Sequence, residues 1–150
     1  MNNETDYATE TRKARRKGVG GTAEFFTPSD LVKHMCDKVD EETWADPKKT
    51  FLEPSAGNGN FCVEIIERRL SHGVDWETTL KTLFAVELMS DNVIECRQRI
   101  INLLKEKNIE GFDERKAQKI LCKNIVCSDF FKWDFENWRP MQEMKQLSLF

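Results

Sequence analysis

The chain has 150 residues, of which 39% are hydrophobic and 33% are charged, and its mean hydropathy is −0.60. This composition is typical of one globular domain and excludes a disordered chain. No apolar run approaches the roughly 20 residues of a membrane span, and residues 1–7 do not resemble a signal peptide, so we expect a cytoplasmic protein without membrane contact. A net charge of −3 argues against a basic field over the whole protein but allows a local basic patch.

The cysteines and histidines are spaced in a way that argues against a metal site. The cysteines are odd in number, and none forms a Cys-x-x-Cys pair. We expect the cysteines to be small buried apolar residues and the histidines to be structural or solvated. These residues are Cys36, Cys62, Cys96, Cys122, Cys127, His34 and His72.

Residues 1–23 are predicted to form a flexible basic arm. Residues 12–17 carry a basic cluster, and residues 18–21 are mostly glycine, which disfavours regular structure. One interpretation is a solvated tail. The other is an arm that contacts phosphates or covers a substrate, and that becomes ordered on binding. The basic residues are Arg12, Lys13, Arg15, Arg16 and Lys17.

From Phe25 onward, apolar periodicity and turn signals predict alternating helices and strands. Ser29 or Asp30 is predicted to cap the first helix, and Ser90 or Asp91 a later one. The predicted elements are a helix beginning within 27–30, a strand over 50–53, a turn over 54–60, a helix over 61–70, a linker over 71–79, a strand over 80–86, a helix from 90 or 91, a polar segment over 113–119 and a strand over 120–127. This alternation predicts an α/β fold with a parallel sheet.

Ligands of such sheets bind beyond the carboxyl ends of the strands. Glu87, after the second predicted strand, is placed to accept hydrogen bonds from two ribose hydroxyls. Asp129, after the third, could accept a hydrogen bond from an exocyclic amine, with Phe130 or Phe131 against a purine ring. These three positions predict a nucleoside site.

The loop after the first strand narrows the ligand class. Gly57 and Gly59 permit a close backbone approach to a ligand, but the third glycine of a dinucleotide fingerprint is absent. Glu53 is a poor neighbour for a pyrophosphate and a good one for a cation. A nucleoside that carries an ammonium or sulfonium group therefore fits better than NAD. The alternative is that the loop with Gly57 and Gly59 is only a turn between packed elements and binds no ligand.

Four segments in order carry a resemblance to a known family. They are Glu24-Phe-Phe-Thr-Pro28, Phe51-Leu-Glu-Pro-Ser-Ala-Gly-Asn-Gly-Asn-Phe61, Ala85-Val-Glu-Leu88 and Cys127-Ser-Asp-Phe-Phe131. They resemble the first four motifs of the S-adenosylmethionine-dependent DNA adenine-N6 methyltransferases, in the subgroup whose cofactor motifs lie at the amino terminus. The resemblance implies a cofactor-binding domain over 24–135 and a partial Rossmann-like sheet, with parallel strands in the order 3-2-1 flanked by helices.

The resemblance also implies roles for individual residues. Thr27 would lie near the carboxylate of the methionine end of the cofactor, Glu87 would hold the ribose, Leu88 would pack beside the adenine, and Asp129 would bind its amine. Phe130 or Phe131 would stack on the ring. The full set of implied cofactor-binding residues is Phe26, Thr27, Pro28, Glu53, Pro54, Ala56, Gly57, Gly59, Phe61, Glu87, Leu88, Ser128, Asp129 and Phe130.

The catalytic motif of that family has no counterpart after Asp129 in these residues. The motif is Asp or Asn, then Pro-Pro, then an aromatic residue, which together hold and stack the flipped target base. Residues 137–140 contain similar residue types in a different arrangement. No catalytic residue is assigned, and an enzyme split over two chains is one expectation. The strand over 50–53 would then be a sheet edge, which we expect the arm, the tail, a second copy or a separate chain to cover.

Residues 136–150 are predicted to form a carboxyl-terminal tail. The pentapeptide Gln146-Leu147-Ser148-Leu149-Phe150 resembles the bacterial sliding-clamp-binding motif, in which Gln146, Leu147, Leu149 and Phe150 would contact the clamp. The alternative is that its apolar residues pack on this protein's own core. Binding to a clamp would bring the protein to DNA indirectly.

Three functions are compatible with these patterns. The first is a minimal or split DNA adenine-N6 methyltransferase that uses S-adenosylmethionine. The second is a catalytically silent relative that binds the cofactor, the clamp or both, as an accessory or regulatory protein. The third is a methyltransferase that acts on a small molecule or a protein. The order of the motifs favours this function least of the three.

Overall fold

The computed structural model describes residues 12, 14–15 and 24–142 of the chain. Short helices alternate with strands, and the chain ends in a small hairpin. The elements are α1 (Ser29–Cys36), α2 (Glu41–Ala45), β1 (Phe51–Glu53), α3 (Asn60–Ser71), α4 (Trp76–Lys81), β2 (Leu83–Glu87), α5 (Ser90–Glu106), α6 (Glu114–Asn124), β3 (Ile125–Cys127), a 3-10 turn (Phe130–Lys132), β4 (Trp133–Asp134) and β5 (Arg139–Pro140).

A parallel three-stranded sheet lies at the centre of the described fold. β2 pairs with β1 on one side, with Phe51 opposite Leu83, and with β3 on the other, with Ala85 opposite Ile125. The predicted α/β class and the predicted order of these strands are confirmed. Because the strands are parallel, the loops that follow all three lie at one edge of the sheet.

One face of the sheet is covered by α3 and α5. On α3, Cys62, Ile65, Ile66 and Arg69 recur at helical spacing and are buried. Along α5, the buried positions Val93, Cys96, Ile100 and Leu104 form the matching stripe. These side chains pack with Leu83, Ala85 and Ile125 of the strands in a single core. Side chains alternate between the two faces of a strand, and Glu53 and Glu87 lie on the same face as Ala85, which is the face that these helices cover.

The opposite face of the sheet is covered by the hairpin of β4 and β5. Trp138, between these strands, contacts Phe84 of β2 with a centroid distance of 4.8 Å, and its Nε1 donates to the carbonyl of Lys123 at 2.8 Å. The hairpin does not reach β1, where the Leu52 side chain remains 49% exposed. Among the described residues, no strand pairs with the outer side of β1.

Two predicted strands begin later than expected, because helices occupy their first residues. The linker predicted over 71–79 includes the start of α4, and β2 begins at Leu83 instead of residue 80. In the same way α6 continues to Asn124, so that β3 begins at Ile125 instead of residue 120. Leu121 and Asn124 are buried one and two helical turns after Ala117, and Asn124 donates to the carbonyl of Leu80 at 3.1 Å.

The predicted side-chain caps are wrong, although the helices begin where expected. The N-cap residues of α1 and α5 are Pro28 and Met89, and neither helix has an N-cap side chain that accepts a hydrogen bond, although Asp91 Oδ1 within α5 accepts from the amide of Asn92 at 2.9 Å. Side-chain caps occur instead at the two helices that the sequence analysis described as a linker or a polar segment. Asp75 accepts from the amide of Thr78, and Asp113 from that of Lys116.

The cysteines follow the expectation only in part. Cys36, Cys62 and Cys96 are buried, whereas Cys122 and Cys127 are exposed on α6 and at the end of β3. In the part of the chain that the structure describes, no helix combines the length and the apolar composition needed to cross a membrane.

Candidate functional site

Two adjoining cavities lie where the three parallel strands end. Cavity A, of about 670 Å³, is lined by the loop after β1, by residues 24–27 and by the loop after β2. Cavity B, of about 380 Å³, lies between the loops after β1, β2 and β3. Ser55, Glu87 and Leu88 line both cavities, so a ligand longer than either one can pass from A to B beside Glu87.

The structure brings most of the predicted cofactor residues together around these cavities. Glu87 and Leu88 line both. Cavity A is also lined by Phe26, Thr27, Glu53, Ala56, Gly57 and Phe61, and cavity B by Pro54, Ser128, Asp129 and Phe130. Two predicted residues line neither cavity: Pro28 precedes α1 as its N-cap, and Gly59 is buried beneath the loop.

Glu87 ties the loop after β1 to the loop after β2. Its side chain is buried; Oε2 accepts from the Gly57 amide at 2.7 Å and Oε1 from the Met89 amide at 2.9 Å. A carboxylate oxygen has two lone pairs, so each oxygen keeps the capacity to accept a further hydrogen bond. The wall between cavities A and B is therefore a fixed acceptor at the end of the central strand.

Glu53 is a partly buried acid with no cationic partner among the described residues. Its Oε1 accepts from the amide of Ser55 at 2.9 Å. Burial raises the pKa of Glu53, the Ser55 hydrogen bond partly opposes this, and the nearby charge of Glu87 raises the pKa further. A positive ligand group beside Glu53 would remove this cost, because it stabilises the ionised carboxylate.

The two glycines of the loop have close neighbours within this chain. Gly57 has φ +54° and Gly59 has φ +97°, a region that favours glycine. A Cβ at Gly57 would lie 2.9 Å from the Phe26 ring, and one at Gly59 would lie 2.6 Å from the sulfur of Cys96. Both the backbone conformation and the neighbouring side chains therefore favour glycine here, and Gly57 also lines cavity A, as the predicted close approach to a ligand requires.

Asn60 and Arg99 hold the same loop, although neither was predicted to belong to the site. Asn60 Nδ2 donates to the carbonyl of Thr27 at 2.8 Å, which fixes the approach to α1 against the start of α3. Arg99 Nη1 donates to Asn60 Oδ1 at 2.8 Å and to the Asn58 carbonyl at 2.9 Å. Asn60 lies in the segment of residues 51–61 that carries the family resemblance, and this is the one sequence feature that indicates a role for it.

Asp129 and the two phenylalanines after it form the outer wall of cavity B. Asp129 Oδ1 accepts from the amide of Phe131 at 2.9 Å and so begins the 3-10 turn. Its Oδ2 takes no hydrogen bond within the described residues. Phe130 and Phe131 meet edge to face at 5.3 Å, and they are 42% and 81% exposed. The wall thus offers one carboxylate oxygen and an aromatic surface at the mouth of the cavity.

Of the predicted arm, the structure describes Arg12, Ala14 and Arg15, all helical, and both arginines contact the start of α5. Arg15 Nη2 donates to both carboxylate oxygens of Asp91, at 2.7 and 2.6 Å, and the residue lines cavity A. Arg12 forms ion pairs with Asp91 and Glu95. Neither arginine was predicted to bind the cofactor, and their contacts with α5 join residues more than 70 positions apart in the chain.

The remaining predicted features lie apart from the cavities or beyond the described residues. Trp138 packs against the sheet, as described above, and so its ring has a structural contact. The predicted clamp-binding residues Gln146, Leu147, Leu149 and Phe150 lie outside the described residues. Across residues 12, 14–15 and 24–142, no group of three His, Cys, Asp or Glu side chains is placed to hold a metal ion.

Comparisons with protein-family models, with curated proteins and with solved structures found no match for this chain.

Proposed function

We propose that this chain binds S-adenosylmethionine in cavities A and B and acts as a DNA adenine-N6 methyltransferase-like protein. The observation that carries the proposal is the position of Glu87, a buried acceptor between two cavities at the carboxyl edge of a parallel sheet. A nucleoside with an amino-acid extension has the length and the polarity that two joined cavities need.

Each part of the cofactor has a chemically suitable wall in this arrangement. The sulfonium and ammonium groups would lie in cavity A, near Glu53, whose charge has no cationic partner in the described residues. The ribose hydroxyls would donate to Glu87. The adenine would enter cavity B, where Asp129 Oδ2 is available to its amine and Phe130 to its ring. S-adenosylmethionine supplies the activated methyl group when bound.

The proposal has two forms, which differ in whether methyl transfer follows cofactor binding. In the first form a second chain supplies the missing Asp/Asn-Pro-Pro-aromatic motif, and the two chains form a split enzyme that acts on DNA. In the second form the protein is catalytically silent and serves as an accessory or regulatory protein that binds the cofactor. Residues 137–140 are the segment most similar to such a motif, and Trp138 is their aromatic residue. Its ring packs on Phe84 and Trp133, so it is occupied within the fold, which favours the silent form.

Calorimetric titration with S-adenosylmethionine tests the binding step. Charge-assisted hydrogen bonds contribute about 1.5–3 kcal/mol, so Glu87→Ala should weaken binding by about tenfold or more. Glu106→Ala, which removes an exposed acid at the end of α5, is the matched control and should leave the affinity unchanged. Unchanged affinity in Glu87→Ala would reject the assignment of this residue.

The loss of binding must be separated from a loss of structure, because Glu87 also braces the two loops. Glu87→Gln removes the charge and keeps an acceptor oxygen for one of the two amides of Gly57 and Met89, while its NH2 group faces the other. We expect it to retain the cooperative thermal transition of the wild type and still to bind S-adenosylmethionine more weakly. A Gln variant that binds as tightly as the wild type would contradict a charge-based role.

Transfer of a labelled methyl group to DNA then separates the two forms. Transfer that requires a second polypeptide supports the split enzyme. Transfer by the single chain supports a self-sufficient enzyme and excludes the silent form. Cofactor binding without transfer, with DNA and with candidate partner chains, supports the silent accessory protein.

A further inference from the structure

Cavity A has an unbalanced set of charges. The carboxylates of Glu24, Glu53 and Glu87 line it, and among the described lining residues Arg15 is the one cation. An excess of acids attracts the positive groups of a ligand and repels a negative group. A ligand that carries both signs of charge therefore needs its negative group beside Arg15.

Arg15 is held rigidly at the wall of the cavity. Its side chain is 13% exposed, and Asp91 fixes one end of its guanidinium through the two hydrogen bonds described above. Its carbonyl oxygen accepts from the amide of Glu24 at 3.0 Å, which joins the arm to the segment that leads into α1. A site built from an ion pair and a backbone hydrogen bond needs little rearrangement to bind a ligand.

The guanidinium retains hydrogen-bonding capacity after its contact with Asp91. It has five N–H donors in a planar fork, and Asp91 accepts hydrogen bonds from Nη2, so the two N–H donors of Nη1 are without a hydrogen bond among the described residues. Nε is buried and lies 3.8 Å from Glu24 Oε2, an ion-pair distance that is too long for a hydrogen bond. A ligand carboxylate suits the Nη1 donors, because hydrogen bonds between two ionised groups are stronger than those between neutral groups.

We propose that Arg15 binds the carboxylate of the amino-acid end of S-adenosylmethionine, and so selects this zwitterionic ligand over the same molecule without the carboxylate. The inference rests on the proposed function and goes beyond it. The family resemblance places Thr27, a neutral side chain, at that end of the cofactor, whereas Arg15 belongs to the amino-terminal arm. Arg15 is then part of the binding site and determines its specificity.

Arg12 provides a matched control within the same arm. It pairs with Asp91 and Glu95 and lies 3.4 Å from Asn92 Oδ1, but it does not line cavity A. Removing its charge weakens the contact between the arm and α5 without removing the cation from the cavity. A specificity effect of Arg15 alone is therefore distinguishable from an effect of arm docking.

The experiment measures the affinity of the full chain for S-adenosylmethionine and for decarboxylated S-adenosylmethionine, which lacks only the carboxylate. The wild type should bind the first about tenfold more tightly or better. In Arg15→Gln the preference should disappear or reverse, because the remaining acids favour the more cationic ligand. Arg15→Lys should keep part of the preference, and Arg12→Gln should keep all of it.

Four results would overturn the inference. Equal affinity of the wild type for both ligands would refute the inference and leave the proposed function intact. Binding of neither ligand by the wild type would refute the proposed function and the inference with it. A preference that survives in Arg15→Gln would assign the carboxylate to another residue. A preference lost equally in Arg12→Gln would assign the effect to docking of the arm. Since each variant is compared on two ligands, a general loss of structure does not imitate a change in preference.

Discussion

At the scale of single residues, the ionised acids of cavity A destabilise the folded protein. Glu53 is partly buried near Glu87, and both the burial and the neighbouring charge raise the pKa of Glu53. The folded protein therefore holds a proton at Glu53 more tightly than the unfolded chain does. By linkage, the free energy of unfolding falls as the pH rises from the ordinary value of 4.5 through the raised value of the folded state.

We expect Glu53→Gln to stabilise the protein and to weaken its binding of S-adenosylmethionine. The amide oxygen of Gln can still accept from the amide of Ser55, so the substitution removes the charge and keeps the hydrogen bond. In urea unfolding at several pH values, the variant should be the more stable protein above the raised pKa. The difference should vanish below pH 4.5, where both proteins are neutral at this position. A wild type that is more stable than the variant at neutral pH would contradict the cost assigned to Glu53.

Sequence reasoning identified these acids because strand ends can be located from apolar patterns. Glu53, Glu87 and Asp129 were predicted at the ends of three strands, and the structure puts all three at the walls of adjoining cavities. For Arg15, the sequence offered only the interpretation that the arm covers a substrate. Its contact with Asp91 joins residues 76 positions apart, and a contact of that range depends on the packed fold and not on local pattern.

At the scale of elements, the loop between β1 and α3 depends on the backbone conformation of Gly59 and on its close contact with α5. The φ of Gly59 is in the region that L-residues rarely adopt, and the sulfur of Cys96 occupies the space that a side chain would need. Gly73, after α3, has φ +84° and open space around it. The two glycines therefore separate the cost of backbone conformation from the cost of a steric clash.

Gly59→Ala should destabilise the protein more than Gly73→Ala does. Both variants should lose about 1–2 kcal/mol of folding stability, because alanine must adopt a left-handed backbone conformation. Gly59→Ala should lose about 1–3 kcal/mol more, because α5 must move away from the loop. Chemical denaturation of both variants measures the difference. Equal destabilisation would show that α5 does not approach this loop as closely as described.

The outer side of β1 is the most exposed part of the sheet. The amide of Phe51 donates to the carbonyl of Thr82 at 2.8 Å, so the alternation of a parallel ladder directs the Leu52 amide and carbonyl outward. Leu52 also exposes half of its side chain. An edge with unpaired backbone groups and an apolar side chain favours association with another strand.

We expect the chain to associate through this edge, and Leu52→Lys to prevent it. Sedimentation velocity should give a mass above the 17.6 kDa of one chain for the wild type and the mass of a single chain for the variant. Ile94→Lys is the control, because Ile94 is 65% exposed on α5, away from β1. A wild type that stays monomeric, with rapid amide exchange at Leu52, would refute the expectation that this edge is covered.

Element boundaries were predictable where the hydrophobic period was unambiguous and not elsewhere. The helix expected over 61–70 is α3, whose apolar stripe has a clear 3.6-residue period. Residues 120–127 contain Ile120, Leu121 and Ile125, which fit the buried side of a helix as well as a buried strand. Tertiary contacts decide the boundary there, since Asn124 ends α6 by donating to the carbonyls of Leu80 and Lys81.

At the scale of the whole molecule, the proposed functions are carried by separate parts of the chain. The cavities lie within residues 15–131, whereas the clamp-binding prediction concerns residues 146–150. If that prediction holds, the tail brings the protein to DNA by raising its local concentration there, with no need for a strongly basic surface. The net charge of −3 is compatible with this arrangement.

Deletion of residues 146–150 should abolish binding to a bacterial sliding clamp and leave the affinity for S-adenosylmethionine unchanged. The reason is that the three large apolar side chains of the motif, Leu147, Leu149 and Phe150, would supply most of the contact energy of such a peptide. Surface plasmon resonance on immobilised clamp measures the first effect, and calorimetry the second. Loss of the cooperative thermal transition on deletion would show instead that the tail packs on the protein's own core.

The central claim is that one adenosyl ligand occupies both cavities, and backbone amide chemical shifts in a titration with S-adenosylmethionine test it most directly. Four amides donate to the acids of the site: Ser55, Gly57, Met89 and Phe131. They should shift together and saturate at one equivalent, while the cap amides of Thr78 and Lys116 at the far helices stay fixed. Unchanged shifts at the four site amides under saturating ligand would contradict the account.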